Sequence, residues 1–363
     1  MAAKWPTSTR LIPLSQATSL ESFVNALNIT VVGGAGIVGR EFLKVLDERQ
    51  ILVGRLRLLA TARSAGKKIE FRSEQIVVEE TSEESFSSDD EVVFLSASGR
   101  ASKLYAPIAA EKGCFVVDDS SAFRMDPAVP LVIPEVNPSD LEDHRGIVSQ
   151  PNCTTTPMVM ALAPIHREVP LRRVVVSTYQ AVAGAGAAAV EGLKTESQAA
   201  LAGRHEPSGT QKREIAFNAV PQVDVFDEGD YTREEIKMAN ETKKILHAPD
   251  IGISATCVRI PTFFGHAMSV WAEFEQGVDP AWARERIASA KGVKVTDDPA
   301  SERYPTPLDV VGNDDVHVGR IRGDSSRPGA VSFWAVTDSI RKGAATNVVQ
   351  IIQEADRRSL IRK

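Results

Sequence analysis

Asn28 to Val32 form a short β-rich run that breaks straight into Gly33-Gly34-Ala35-Gly36-Ile37-Val38-Gly39, and Ile37, Val38, Phe42, Leu43 and Leu46 then recur at helical spacing. The turn contains both G-x-x-G-x-x-G and G-x-G-x-x-G. Glycine permits positive φ and close backbone approach, and a helix that starts there offers unpaired N–H groups and the positive end of its dipole to a pyrophosphate. A glycine-rich turn by itself can be purely structural. Between a strand and a helix it predicts a dinucleotide site, with Gly33, Ala35, Gly36, Ile37 and Val38 as the contacting backbone.

Strand candidates at Leu56–Ala60, Glu91–Leu95 and Phe115–Val117, with a helical stretch near Lys103–Lys112, continue the alternation and predict parallel βαβ units. After Cys153 the texture changes. Val174–Tyr179 and Ala255–Ile260 read as strands, and Ala185–Ala202 and Arg233–Leu246 as helices. The expectation is an α/β chain: a Rossmann-type dinucleotide-binding domain over residues 28–152, and an α+β domain over 153–339. A last helix, Arg341–Glu354 within 340–363, is positioned to return to the first domain. Glu79–Glu91, acidic and serine-rich, reads as solvated loop.

The chain has 363 residues and a formal net charge of -6, with no dense Lys/Arg stripe, which argues against a nucleic-acid partner. No apolar run reaches the roughly 18 residues of a membrane span. Cys114, Cys153 and Cys257 are too scattered for a disulfide framework or a metal cluster, so the expectation is a reducing, cytoplasmic setting and no metal. Residues 1–27 lack the apolar core of a secretory signal. They read as an extension before the first strand, with an organellar transit segment as the alternative.

Where a strict NAD site carries an acid at the end of the second strand, this chain reads Ala60-Thr61-Ala62-Arg63-Ser64-Ala65-Gly66-Lys67. Arg63 can pair with a 2′-phosphate and Ser64 can hydrogen-bond to it, which favours NADP over NAD. The plainer alternative is a solvated basic turn. Cys153, in Gln150-Pro151-Asn152-Cys153-Thr154-Thr155-Thr156-Pro157, sits where a loop enters a helix, a setting that biases a thiol toward the nucleophilic thiolate. Cys114 and Cys257, flanked by strand-forming residues, read as small buried hydrophobes. Six histidines supply candidate bases. His266 follows a strand and a Gly-marked turn, but spacing alone does not single it out.

Taken together, S-Q-P-N-C-T-T, V-S-T-Y-Q-A-V-A-G-A-G and V-R-I-P-T-F-F-G-H resemble the active-site segments of aspartate-semialdehyde dehydrogenases. R-S-A-G-K, V-V-D-D-S-S-A-F-R-M, Y-T-R-E-E-I-K-M and I-R-K-G-A-A extend the likeness over about Asn28 to Glu354. The resemblance implies NADPH-dependent reduction of aspartyl-4-phosphate through a thioester on Cys153, with His266 as acid/base, Gln180 orienting the acyl group and Asn152 polarising its oxygen. It further implies Arg259 on the substrate α-carboxylate, Glu234 on the α-ammonium, and Arg124 and Lys237 on phosphate. Ala183, Gly184 and Ser339 would lie beside the nicotinamide, and the chain would be a homodimer or homotetramer.

Three places depart from the family pattern: Ala267 and Met268 after the histidine, where serine and an acid are common; Ser339 in place of an amide; and Ser98 and Arg100 in a loop that is usually richer in glycine. Two other readings compete. One is N-acetyl-glutamyl-phosphate reductase, for which a charged partner of the amino group would be superfluous; the other is a non-catalytic NADP-binding paralogue.

Overall fold

The computed structural model describes residues 26–361, apart from 206 and 208–211 and the side chain of 228; the N-terminal extension up to residue 25 lies outside the described residues. The first sheet has seven strands: β1 (Leu27–Val32), β2 (Val53–Ala60), β3 (Lys68–Phe71), β4 (Glu74–Glu80), β5 (Val92–Leu95), β6 (Phe115–Asp118) and β7 (Ile147–Ser149). Their spatial order is β3-β4-β2-β1-β5-β6-β7, parallel except for the β3–β4 hairpin. Every residue of β5 and β6 is buried, the continuous apolar signature of a parallel strand covered on both faces. The chain leaves β1 toward β2 on one side and later returns to β5 on the other. That reversal opens a crevice at the carboxyl ends of the strands.

Helix α1 (Ile37–Glu48) covers one face with Phe42, Leu43, Val45 and Leu46, and α2 (Gly99–Glu111) covers the other. The C-terminal segment does return to this sheet. Ala345, Val348, Val349, Ile351 and Ile352 join the core formed by β1 and α1. It is not one uniform helix: Arg341–Ala345 forms a π-turn, followed by α7 (Thr346–Arg357). π-Turns of this kind frequently occur at functional sites.

The second sheet has six strands in the order β11-β12-β13-β10-β8-β9. They are β8 (Leu171–Gln180), β9 (Gly252–Arg259), β10 (His266–Phe274), β11 (Val293–Val295), β12 (Val316–Asp324) and β13 (Arg327–Thr337). One face packs on α3 (Thr155–His166), α5 (Arg233–Ile245) and α6 (Pro280–Ala288) in a core that includes Val174, Val176, Met268 and Val270. The pairing is mixed, parallel at β11–β12 and β8–β9 and antiparallel between the other neighbours, and on the other face Val175, Ser177, Tyr179, Ser269, Trp271 and Trp334 remain partly exposed, the two-sided alternation of a half-covered sheet. Helix α4 (Ala187–Leu201) lies apart from this core, in a smaller cluster with Val182 and Ile215.

The expected solvated loop Glu79–Glu91 needs correction. Glu79 and Glu80 end β4, Phe86 is buried, and Asp90, 1% exposed, accepts from Thr30 Oγ1 and Arg55, each at 2.8 Å. A carboxylate can be buried in an acidic stretch when it is paired, and two strands supply the partners here. The hairpin β3–β4, the short β7 and the strands β10 to β13 extend what the sequence singled out.

Candidate active site

The glycine-rich turn lies at the crevice, and its backbone needs glycine at the first position. Gly33 has φ +84°, and a Cβ there would lie 2.0 Å from the carbonyl oxygen of Ser96. Gly36 precedes α1 with no side-chain cap, so the first-turn N–H groups of the helix are left for a ligand. Gly36, Ile37 and Val38 line a cavity of about 570 Å³, whose far wall comes from the second sheet and its helices. That volume lies in the range of small-molecule sites. A pyrophosphate on the turn fits these groups.

Cys153 reaches the same cavity from the loop between β7 and α3. The Asn152 side chain organises that loop: its Oδ1 accepts from the backbone N–H and the hydroxyl of Thr154, at 2.8 and 2.6 Å. Its backbone N–H donates to Glu241 at 2.7 Å. From behind, Gly343 of the π-turn presses on the nucleophile, so that a Cβ at Gly343 would lie 2.9 Å from Cβ of Cys153. Gln150 ties the two segments, donating to the Gly343 carbonyl at 2.9 Å and to Asp119 at 2.8 Å while accepting from Asn347.

Helix entry does not by itself make the thiol a thiolate. Burial pushes the Cys153 thiol up to about 12, and Glu234 adds to the effect, while Arg124 and Arg259 oppose it. Here desolvation outweighs the bias toward thiolate that the helix start supplies. Cys114 and Cys257 are both buried, and burial raises their thiols too.

Charged side chains crowd the cavity floor. Glu234, 6% exposed near the start of α5, accepts through Oε1 from Asn152 Nδ2 at 3.0 Å and from Gln180 Nε2 at 3.1 Å, and through Oε2 from Lys237 at 3.2 Å. Arg124 donates to Glu241 at 3.0 Å and to the Asp119 carbonyl at 2.7 Å, and its Nε is buried without a protein partner. Arg259 donates to the Ala181 carbonyl at 2.6 Å and likewise leaves a buried Nε unpaired. Two guanidiniums with unspent, desolvated donors form a receptor for anions.

His266, the first residue of β10, is wholly buried and stands behind the cavity wall rather than in it. The backbone N–H of Ala181 donates to its Nδ1 at 3.1 Å, which puts the proton of the neutral ring on Nε2. That Nε2 has no protein partner, and it lies 3.1 Å from where a Cβ on Gly184 would be, so the glycine leaves the ring room toward the cavity. Burial, helped by Arg259, pushes the imidazole down to about 3, so it is neutral near pH 7. Met268, where an acid is common, is packed in the core of the second sheet and brings no charge to the ring.

The structure thus gathers Asn152, Cys153, Gln180, Glu234, Lys237, Arg124, Arg259, Ala183, Gly184 and Ser339 around one cavity, with Gly36, Ile37 and Val38 opposite. Ser339 Oγ is buried there without a protein partner. Gly33 and Ala35 support the turn from outside the lining. Arg63 and Ser64 lie on the turn after β2, Arg63 exposed and Ser64 accepting from Lys67 at 3.3 Å. Asn152 carries more than the polarising role expected of it, since its amide already serves Glu234. At the third place of departure, Ser98 caps α2 through Ala101 N–H and Arg100 is exposed. Asp119, Asp224, Glu241 and Gly343 were not singled out by sequence. Each is an ordinary residue in its local context, and only partners far along the chain give it a role.

Known proteins are similar to this chain over most of its length. A family model described as semialdehyde dehydrogenase, NAD binding domain, matches residues 28–144, and one described as semialdehyde dehydrogenase, dimerisation domain, matches 162–342. The aspartate-semialdehyde dehydrogenase of Aquifex aeolicus is 48% identical over 92% of this chain and 99% of its own length. That of Bacillus subtilis is 46% identical, with the same coverage of both chains. The crystal structure of aspartate semialdehyde dehydrogenase II from Vibrio cholerae, complexed with ASA, matches 92% of this chain and 99% of its own at 39% identity, with a TM-score of 0.88.

Proposed function

This chain belongs to the aspartate-semialdehyde dehydrogenase family, and from that premise we propose that it reduces aspartyl-4-phosphate to aspartate semialdehyde with NADPH, in the supply of lysine, threonine and methionine. One observation carries the reading: a cysteine at the start of a helix faces a cavity that also holds the carboxylates of Asp224 and Glu234 and three cations, Arg124, Lys237 and Arg259. A substrate with an α-ammonium, an α-carboxylate and an acyl phosphate has the complementary charges.

In this reading Arg259 clamps the α-carboxylate and Glu234 takes the ammonium, while Arg124 and Lys237 receive the phosphate. Gln180 orients the acyl group beside Cys153. The Cys153 sulfur attacks the acyl carbon, the bond to phosphate oxygen breaks, and the thiol proton leaves with the phosphate. The bound nicotinamide would supply hydride to the resulting thioester. His266, with its proton on Nε2, stabilises the acyl oxygen as charge develops there, and collapse of the thiohemiacetal returns the thiol. Removing one such donor commonly costs roughly 10²–10³ in rate.

Arg63 and Ser64 favour the 2′-phosphate of NADP, since no acid occupies their turn to demand a free ribose hydroxyl. A homodimer or a homotetramer built through the second sheet, in the cytoplasm, completes the proposal; among the described residues no helix is long and apolar enough to cross a membrane. The test is phosphate-dependent reduction of NADP by aspartate semialdehyde, run beside N-acetyl-glutamate semialdehyde and beside Cys153→Ser. Turnover of the first aldehyde, lost in the serine variant, is expected. Turnover of the acetylated aldehyde alone would replace this reading with the reductase of N-acetyl-glutamyl phosphate, and NADP binding without turnover would replace it with a non-catalytic role.

A further inference from the structure

Lys237 Nζ lies between two carboxylates, 2.7 Å from Oδ2 of Asp224 and 3.2 Å from Oε2 of Glu234. The remaining oxygens of both groups are committed elsewhere. Asp224 Oδ1 accepts the backbone N–H of Val225 at 2.8 Å, and Glu234 Oε1 accepts the amides of Asn152 and Gln180. Lys237 therefore occupies the two carboxylate oxygens that the rest of the site leaves open. Both acids line the cavity. Asp224 is held there at φ +69°, a conformation that non-glycine residues adopt at some cost and that tends to persist where surrounding structure requires it.

A pair of open carboxylate oxygens around one ammonium is also what the α-ammonium of an amino-acid substrate requires. Bridged to both acids, the lysine has one N–H left, and the two carboxylates beside it would repel a phosphate dianion brought to it. Its long, flexible stem allows it to move from one partner to the other. We propose that Asp224 and Glu234 together form the α-ammonium subsite, and that Lys237 fills it as an internal surrogate until the substrate ammonium displaces it and frees it for phosphate. This rests on the functional reading above, and adds to it a second recognition carboxylate, Asp224, and an exchange that links the two ends of the substrate. The number of ion pairs is preserved: the incoming ammonium replaces the lysine, and the lysine then meets the phosphate.

The exchange predicts a thermodynamic coupling that fixed side chains would not show. Phosphate binding to the NADP-loaded enzyme is measured calorimetrically alone, with saturating L-2-aminobutyrate, and with butyrate, which lacks the ammonium. Aminobutyrate is expected to tighten phosphate binding about fivefold or more, by linkage phosphate to tighten aminobutyrate equally, and butyrate to have no such effect. In Asp224→Asn, which tolerates the same backbone conformation, the lysine loses its stronger anchor. Phosphate alone should then bind tighter than in the wild type, with the coupling largely lost. In Lys237→Met phosphate should weaken while aminobutyrate tightens, because its competitor is gone.

Phosphate affinity that ignores the ammonium, or aminobutyrate that does not bind, overturns the exchange. So does weaker phosphate binding in Asp224→Asn, which would make Asp224 a mere support for Lys237. Wild-type turnover of aspartate semialdehyde, measured on the same preparation, separates these failures from failure of the functional reading itself.

Discussion

Replacing Gly343 by alanine should injure catalysis without injuring the fold. A Cβ at this position would stand 2.9 Å from Cβ of Cys153 and 3.3 Å from its Cα, against the 3.4 Å at which ordinary van der Waals contact begins. Neither atom belongs to a flexible side-chain end, so the nucleophile loop must retreat by about 0.5 Å or the π-turn must shift by as much. The π-turn has little freedom, because Gln150 holds the Gly343 carbonyl at 2.9 Å and Lys342 is anchored to Glu135 and Gln350 at 2.7 and 2.6 Å. Most of the displacement therefore falls on Cys153. A misplacement of about 1 Å can cost on the order of 10²-fold, so a half-ångström retreat implies roughly tenfold in kcat/KM. Stability should change little, since alanine is the better helix former by up to about 1 kcal/mol and this offsets local crowding. The assays are steady-state turnover with aspartate semialdehyde and phosphate, the rate of Cys153 alkylation, and urea unfolding. Activity within a factor of two of wild type would refute the packing argument, and a large loss of stability would show that the shift had spread beyond the loop.

Alkylation of Cys153 in the unliganded enzyme, followed by peptide mass, should be slow at pH 8 and still be rising above pH 10, because burial holds the thiol near 12 and only the thiolate reacts. A plateau below pH 8 would mean that the two neighbouring arginines outweigh desolvation. Glu241→Ala leaves Arg124 buried without its carboxylate partner and frees the Asn152 N–H, so unfolding free energy should fall by about 3–5 kcal/mol in urea titrations. A loss under 1 kcal/mol would indicate that water or Glu234 replaces the missing carboxylate.

How much of this was legible beforehand depended on the range of the interaction. The strand–turn–helix at residues 28–46 could be read because its signals are local: glycine spacing, helical periodicity and the absence of an acid after the second strand. The order of short segments around Cys153, Gln180, Arg259 and His266 was likewise enough to recognise the family and to name half of the cavity lining. Helix ends fell within a few residues, as at α5, expected over Arg233–Leu246 and found over Arg233–Ile245.

Tertiary structure decided what those residues are able to do. Glu234 is joined to Asn152 across 82 positions and Arg124 to Glu241 across 117, and no local pattern records such pairings. The ionisation of Cys153 followed burial, which is a property of the assembled interior and not of a helix start. Asp90, in a stretch that reads as solvated, became a buried anchor because two strands brought cations and a hydroxyl to it. Local chemistry, in short-range contacts, fixed the elements and the identity of the reactive groups. Their charge states, their partners and the bridging position of Lys237 required distant segments to be packed together, because electrostatic and steric effects depend on distance in space and not on separation along the chain.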